Sequence, residues 1–503
     1  MSDARRLAAA SRRSFPHTQP QRPVRPFVLA LVLLASSTAA SAQPAVAEPI
    51  PAAEAAFQNG LASFRAGDFA EAHRLFDRAA TAYDYHARTT AALLMSGRAA
   101  YAAGDTDRAT AATNILLDAY PESRYAAEAE ALRSAIQEGG RLVLAPFELG
   151  IILPSSGPNG YLGQALFNGV RIAVDEHNAS VDAAEPGAMR RRVRMIFRDT
   201  GGTPEGASGA ARDAIREGAD ALVGPLFSQG ALTAAAVAND ARVPLVAPLA
   251  NDPAVSRDRP YVFQANPTFA MRGRAMARYA VQRLDLDRVG MASEAGTPGA
   301  ESGDAFVAEA RRLGASIGFA TQLRTAADWA DLDRRVGEQA IESVGAVYLP
   351  VTGERAVANA GEALRALEAL RRAPRPLGNS EWEGLGSSQR ARASRLGSVF
   401  TRDFFVAPGA SDAFGRRYRQ LSRLDQPDRI ALIGYDVARF VLQQMEASDE
   451  GTAAPASGDA LADQIRRARE FQGIAHRFAF EDGQVNTSLF ILGYRDGSAV
   501  LVE

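Results

Sequence analysis

Residues 147–178, FELGIILPSSGPNGYLGQALFNGVRIAVDEHN, set the terms for the rest of the chain. Leu149 to Leu153 is apolar enough for a buried strand, and Pro154-Ser155-Ser156-Gly157-Pro158-Asn159-Gly160 then breaks regular structure, as turn residues do. From Gln164 onward Leu166, Val170, Ile172, Ala173 and Val174 give an apolar helical face with a polar back. The predicted unit is a strand, a glycine-rich loop and a helix whose N-terminus points at that loop. Free backbone N–H groups and the positive end of the helix dipole suit such a place to an anion or a carboxylate.

The pattern recurs. Arg192 to Arg198 reads as a second strand, followed by Asp199 and a helix from about Pro204 to Glu217. Ala221-Leu222-Val223 is a third, ending in Gly224-Pro225-Leu226-Phe227-Ser228, and Val243 to Ala247 a fourth, ending in Pro248-Leu249-Ala250-Asn251. Tyr261 to Gln264 reads as a crossing segment. A second set follows at Val289 to Ser293, Ser316 to Gln322, Val344 to Leu349 and Val399 to Phe404, with helices between. Helix Arg429 to Met445 and strands Ala475 to Phe480 and Leu489 to Tyr494 are expected to complete and hinge the structure. Such alternation predicts parallel sheets with right-handed crossovers, here as two lobes with a cleft between them.

At 503 residues the chain exceeds one ordinary core, so further domains are expected ahead of this region. Phe27 to Ala35, FVLALVLLA, with Arg22 and Arg25 before it and Ala40-Ser41-Ala42 after it, reads as a secretory signal cleaved after Ala42. It is too short for a spanning helix. Ser11-Arg12-Arg13-Ser14-Phe15 resembles a twin-arginine signal, although a proline-rich spacer separates it from the apolar core. Residues 43–51 read as a Pro/Ala linker, 52–138 as an all-helical domain, and 142–503 as the two-lobed region. The helical part repeats itself: Gly60, Gly67-Asp68 and Ala72 recur as Gly97, Gly104-Asp105 and Ala109. Small residues stand where two helices must approach, Gly-Asp marks the turn between them, and Tyr125 to Ile136 reads as a capping helix.

Composition limits the chemistry. With no cysteine there are no disulfides, thiolate zinc sites or cysteine nucleophiles, and no N-terminal cysteine to carry a lipid. Removing residues 1–42 leaves 50 basic against 57 acidic residues, about −7, a poor match for nucleic acid. Every basic residue is arginine, so a phosphate-binding G-x-x-x-x-G-K-[ST] loop cannot occur. Gly157, Gly160 and Gly163 with Asp199 imitate a dinucleotide fingerprint, but the first spacing is wrong. The histidines His17, His73, His86, His177 and His476 lack metal spacing, and no G-x-S-x-G elbow appears. No cofactor and no enzymatic role are expected. Trp329 and Trp382 read as packing residues.

Ser156-Gly157-Pro158, Gly163 and Phe167-Asn168-Gly169-Val170 resemble the first strand-loop-helix of the periplasmic leucine/isoleucine/valine-binding proteins. Phe471-Gln472-Gly473 and Phe480-Glu481-Asp482-Gly483 resemble the closing segment of that family. The resemblance implies an α/β, two-lobed type 1 periplasmic binding fold, parallel sheets with helices on both faces. The preceding helices resemble tetratricopeptide repeats, whose usual period is about 34.

Ligands of open α/β sheets bind beyond the carboxyl ends of the strands. The candidate ligand-binding residues are accordingly Ser156, Tyr161, Ser228, Gln229, Leu249 and Asn251 from the first lobe and Glu381 from the second. Ser228 can cap its helix or hold a ligand carboxylate. Glu381 can meet an ammonium group or remain a solvated loop acid. The sequence departs from the family where that clamp is built. Leu249 and Asn251 stand where a small residue and a threonine are usual, Leu162 where an aromatic is, and Pro298-Gly299 where a Tyr-Gly pair is. The resemblance implies one of two functions. One is an exported, periplasmic, non-lipidated receptor that carries an amino-acid-like ligand to the membrane subunits of an ABC importer. The other is a regulator like the outer-membrane activators of penicillin-binding proteins, which join such helices to such a fold and dock on a peptidoglycan synthase. The helical repeat is either a stack of hairpins that packs on the next domain or a surface for a protein partner.

Overall fold

Five helices open the described part of the chain: α1 (Pro51–Arg65), α2 (Phe69–Thr81), α3 (Thr89–Ala102), α4 (Thr106–Ala119) and α5 (Ala126–Glu138). The computed structural model describes residues 49–139, 145–184, 190–422, 426–449 and 457–502, so the export segment and most of the linker lie outside the described residues. Each Gly-Asp pair acts at its turn as its chemistry predicts. Gly67 and Gly104 take left-handed φ values of 79° and 80°, and the carboxylates of Asp68 and Asp105 accept the N–H of Glu71 and Arg108 to cap α2 and α4. Gly60 lets α1 close on the ring of Phe76, and Gly97 lets α3 close on Thr113 and Leu132. As a result α3 is covered all round from Ala91 to Ala100.

One charged contact ties these helices to the two-lobed region. Glu128 of α5 pairs with the buried Arg98 of α3 and, at 3.6 Å, with Arg191. Arg191 also donates to the carbonyl of Ala145 at 3.0 Å and stands over the Phe147 ring at 5.8 Å. Glu128→Gln leaves two buried guanidinium groups to share a neutral partner. It is expected to lower stability by about 3 kcal/mol, seen as a smaller urea midpoint at unchanged slope.

Lobe 1 is a five-stranded parallel sheet in the order β2-β1-β3-β4-β5. Its strands are β1 (Phe147–Leu153), β2 (Val193–Asp199), β3 (Ala221–Val223), β4 (Leu245–Ala247) and β5 (Val262–Gln264). Crossover helices α6 (Gly160–Asp182), α7 (Pro204–Arg216) and α8 (Ser228–Asp240) link the first four strands. Tyr261 to Gln264, expected as a crossing, instead supplies edge strand β5, paired with β4. Crossing begins one residue later.

Lobe 2 opens with α9 (Phe269–Arg278) and β6 (Arg288–Glu294), followed by α10 (Pro298–Arg312) and β7 (Ser316–Leu323). Three short helices, α11 (Ala326–Ala330), α12 (Leu332–Val336) and α13 (Glu338–Glu342), lead to β8 (Ala346–Tyr348). Then come α14 (Ala356–Glu368), β9 (Arg375–Gly378), α15 (Ser387–Arg395) and β10 (Val399–Arg402). The chain returns to lobe 1 for α16 (Asp412–Ser422), α17 (Arg429–Asp449), α18 (Gly458–Arg467) and a hairpin of β11 (Phe471–Gln472) and β12 (Arg477–Phe478). It crosses a third time to end in β13 (Phe490–Arg495) and β14 (Ser498–Leu501), antiparallel additions that complete the sheet β14-β13-β10-β9-β8-β6-β7. Within lobe 1, α17 lies against α6, where Gly169 and Gly434 leave room for the backbones to meet at the carbonyls of Ala431 and Leu166.

Three further differences from the sequence reading have physical reasons. Strand β9 reads Arg-Pro-Leu-Gly and carries little β propensity of its own; its neighbours β8 and β10 impose the conformation. The fourth strand of the second set stops at Arg402, because Asp403 turns out of the sheet into an ion cluster. Ala475 to Phe480 contributes only two paired residues, since the N–H groups of Ala475 and His476 go to a carboxylate rather than to a neighbouring strand.

Candidate ligand cleft and its hinge

The first and second crossings leave the carboxyl ends of β5 and β10, so the carboxyl edges of both sheets adjoin the hinge. On lobe 1 this edge carries the glycine-rich loop. Asp199 at the end of β2 accepts the N–H of Ser155 and of Gly201, both at 2.8 Å, and the hydroxyl of Ser156 at 2.7 Å. Burial works against its charge, yet these donors hold the Asp199 carboxyl well below the usual range. Ser156 therefore fastens the loop to β2. Gly163 is required beside the Pro154 carbonyl, where a methyl group would collide.

Ser228 is the first residue of α8, and it does not cap that helix. Its Oγ accepts the N–H of Asn251 and of Asp252, each at 3.2 Å, and so binds the loop after β3 to the loop after β4. Its hydroxyl proton is left to point elsewhere. Asn251 is half-buried at this junction, Gln229 is exposed one residue along α8, and Leu249 packs on the lobe core. Tyr161 and Phe227 are aromatic and face solvent, 70% and 44% exposed, at the same edge. On lobe 2, Glu381 is exposed on the short turn Ser380–Gly384, beneath which Trp382 is fully buried, as is Trp329 elsewhere. Pro298 and Gly299 open α10, with Gly299 packed against the Pro350 carbonyl.

The hinge itself is polar and buried. Asn486 of the third crossing donates to the carbonyls of Ala265 and Arg477, both at 2.9 Å, and accepts the N–H of Ala479 and Ser488 at 3.0 Å. Asn266 of the first crossing donates to the Leu249 carbonyl at 2.9 Å and accepts from Arg272 of α9 at 2.7 Å. Arg272 lies 3.5 Å from the buried carboxylate of Asp403 on the second crossing, and Arg429 of α17 donates to the same oxygen at 2.5 Å. Burial opposes the Asp403 charge, but Arg272, Arg429 and His476 hold its carboxyl well below the ordinary carboxylate range. A continuous polar chain thus runs from the loop after β4 in lobe 1, through the first and second crossings, to α9 in lobe 2 and back to α17. Among the described residues there is no helix long and apolar enough to cross a membrane and no cluster of metal-ligating side chains.

A family model described as Periplasmic binding protein matches residues 146–499, a span that takes in both lobes and all three crossings. The chain belongs to the periplasmic binding protein family. Over 168 residues it is 27% identical to the Leu/Ile/Val-binding protein BraC3 of Rhizobium johnstonii, a stretch that spans 33% of this chain and 44% of that relative. Among solved structures, 71% of the chain covers the whole of a provisionally assigned branched-chain amino acid ABC transporter from Rhodospirillum rubrum, at 22% identity and a TM-score of 0.56. It likewise covers the whole of an ABC transporter substrate-binding protein from Desulfitobacterium hafniense, at 18% identity and a TM-score of 0.50. These structures show the two-lobed type 1 periplasmic binding fold, preceded here by the helices of residues 51–138.

As a periplasmic binding protein, this chain carries seven candidate residues that the structure distributes between two half-sites. Ser156, Tyr161, Ser228, Gln229, Leu249 and Asn251 share the carboxyl edge of lobe 1, and Glu381 lies on a turn of lobe 2. The hinge residues Arg272, Arg402, Asp403 and Arg429 were not singled out from the sequence. The signal that could have found them was Arg402-Asp403 inside the predicted strand Val399 to Phe404, where ionic residues do not continue an apolar run.

Proposed function

We propose that this chain is an exported, periplasmic solute-binding protein that captures a small polar ligand between its lobes and delivers it to the membrane subunits of an ABC importer. The observation that carries this reading is the family match across both lobes, with two loop-bearing sheet edges meeting at a three-crossing hinge. Closure turns about the crossings, and a few oriented hydrogen bonds in a largely preformed cleft fix the ligand. The similarity to a Leu/Ile/Val-binding protein favours an amino acid or a compound of similar size. Ser156, Tyr161, Ser228, Gln229, Leu249, Asn251 and Glu381 are the proposed contacts. Ser228 acts in this scheme through its free proton and by holding Asn251 in place.

Residues 1–42 are the proposed cleaved signal, and residues 52–138 a tetratricopeptide-like surface for a protein partner. A second reading, a regulator docking on a peptidoglycan synthase as penicillin-binding protein activators do, is favoured by one observation. The Asn251 and Asp252 N–H groups are already spent on the oxygen of Ser228, which leaves fewer donors for a zwitterion.

Thermal unfolding of the mature chain against amino acids, small organic acids, short peptides and cell-wall fragments separates the two. A ligand that binds only the folded state adds about 2.7 kcal/mol of stability at a hundredfold excess over its dissociation constant. A clear rise in midpoint with one compound, reduced in Ser228→Ala, is the expected result. If no small molecule moves the midpoint, the receptor reading fails.

A further inference from the structure

One flank of the hinge holds a cavity of 680 Å³ with a wall on each lobe. Residues between Ala275 and Arg283, running on from α9, form the lobe 2 wall, and Arg469, Glu470 and Arg477 stand on the lobe 1 wall. Thr487, Ser488 and Leu489 of the third crossing make the floor. None of the seven candidate cleft residues lines it. It lies where the chain passes from α9 to the amino end of β6, whereas the cleft loops follow the carboxyl ends of the strands. A second cavity of 400 Å³ shares Arg278, Glu481 and Thr487 with it, so the two form one trough along the third crossing.

The lobe 2 wall contains a π-helical turn, Tyr279–Arg283, in which the Leu284 N–H reaches back five residues to the Tyr279 carbonyl at 3.1 Å. Such turns are rare and gather at functional sites. On the other wall Arg477 is half-buried and held from two sides. Its Nε donates to Gln472 at 2.7 Å, and its guanidinium lies over the Phe490 ring at 4.5 Å. No carboxylate among the described residues pairs with it, so Nη1 and Nη2 keep the fork that takes a carboxylate at two points. The other cations of the cavity are already engaged, Arg278 with Glu309, Arg469 with Asp482, and Arg283 as well. Glu470 and Glu481 are exposed on the rim and, among the described residues, belong to no ion pair. One fixed cation and two carboxylates thus border the same space without reaching one another.

We infer that this trough is a second binding site, separate from the cleft, for a short zwitterionic peptide whose carboxylate meets Arg477 and whose ammonium meets Glu470 or Glu481. A volume of 680 Å³ lies within the range of small-molecule sites, and a trough drawn out along the crossing suits a short chain better than a single amino acid. The inference does not depend on what the cleft holds. An occupant touches both lobes, so a swing about the crossings changes the width of its site and couples it to the cleft.

The test is calorimetric titration of the mature full chain with trialanine, N-acetyltrialanine and trialanine amide. Trialanine is expected to bind, and each capped form to bind about 10-fold more weakly, the effect of losing one charged hydrogen-bonding group. Arg477→Gln, and Glu470→Gln combined with Glu481→Gln, are each expected to weaken trialanine by about 10-fold. Arg477→Lys keeps the charge but loses the fork, and its loss carries the test if the glutamine variant does not fold. Hydrogen exchange at residues 279–283 and 487–489 is expected to slow when trialanine is added. Capped forms that bind as well as trialanine, unchanged affinity in the Arg477 and glutamate variants, or a loss confined to Ser228→Ala overturns the inference and leaves the receptor reading standing. Absence of trialanine binding to the unaltered chain overturns it too.

Discussion

Asp403→Asn is expected to lower the stability of the folded chain by about 3–5 kcal/mol at neutral pH, the usual result of leaving buried charges without their counter-ion. Asp403 is the carboxylate that Arg272 and Arg429 share, and asparagine keeps its shape while removing its charge. The check is the urea midpoint of the variant against the parent at pH 7; a loss below about 1 kcal/mol would mean that water already compensates the two arginines. The pH dependence has a definite sign. The folded-state pKa of Asp403 lies below its unfolded value, so its contribution is complete above the ordinary aspartate range and is withdrawn only as pH falls through and below that range. Between pH 5 and pH 3 the parent should therefore lose part of its advantage over Asp403→Asn, and the two midpoints should draw together. Replacing the members of the cluster jointly by apolar residues of similar volume is expected to cost far less than the single change.

Asp436→Ala is expected to cost about 4 kcal/mol by a different route. The Asp436 side chain, 0% exposed on α17, accepts the N–H groups of Ile474, Ala475 and His476 at 2.7, 2.9 and 2.9 Å and lies 3.0 Å from Nδ1 of His476. Gly473 at the start of this turn is forced, since a methyl group would strike the carboxylate. Alanine strands these backbone donors in a protein interior, each at about 1–3 kcal/mol, partly relieved if water enters the space left behind. Asp436→Asn retains acceptor capacity and should lose about half as much. Hydrogen exchange at residues 474–476 distinguishes the two cases: protection is expected to vanish in the alanine variant and to persist, weakened, in the asparagine one.

The lobes were legible in the sequence because their signals are local. A strand, a break rich in proline and glycine, and an amphipathic helix succeed one another within some thirty residues at Phe147 to Asn178, and the pattern repeats. The Gly-Asp turns of the helical region were legible for the same reason, each being complete within four residues. What could not be read was relational. Asp403 and Arg429 stand 26 positions apart and Asp436 and His476 stand 40 apart, with no periodicity linking them. Ser228 stands out as a candidate from its place at the start of a helix, but that its acceptor faces Asn251 depends on how two adjacent loops settle. Strand β9 was missed because its residues do not favour the conformation their neighbours impose. Trp329 and Trp382, by contrast, needed no partner to be recognised, and both are wholly inside.

The salt link through Glu128 fixes more than stability. It meets Arg191 two residues ahead of β2, at the amino edge of the lobe 1 sheet, while every loop of the cleft is at the opposite edge. On the proposed function, a partner that grips the leading helices would meet the chain at the edge away from the cleft loops, and lobe 2 would swing against a body to which those helices are clamped. Dyes placed on α2 and on α15 are then expected to change their separation when ligand is added, with the appendage as a fixed reference point from which occupancy is sensed at a distance.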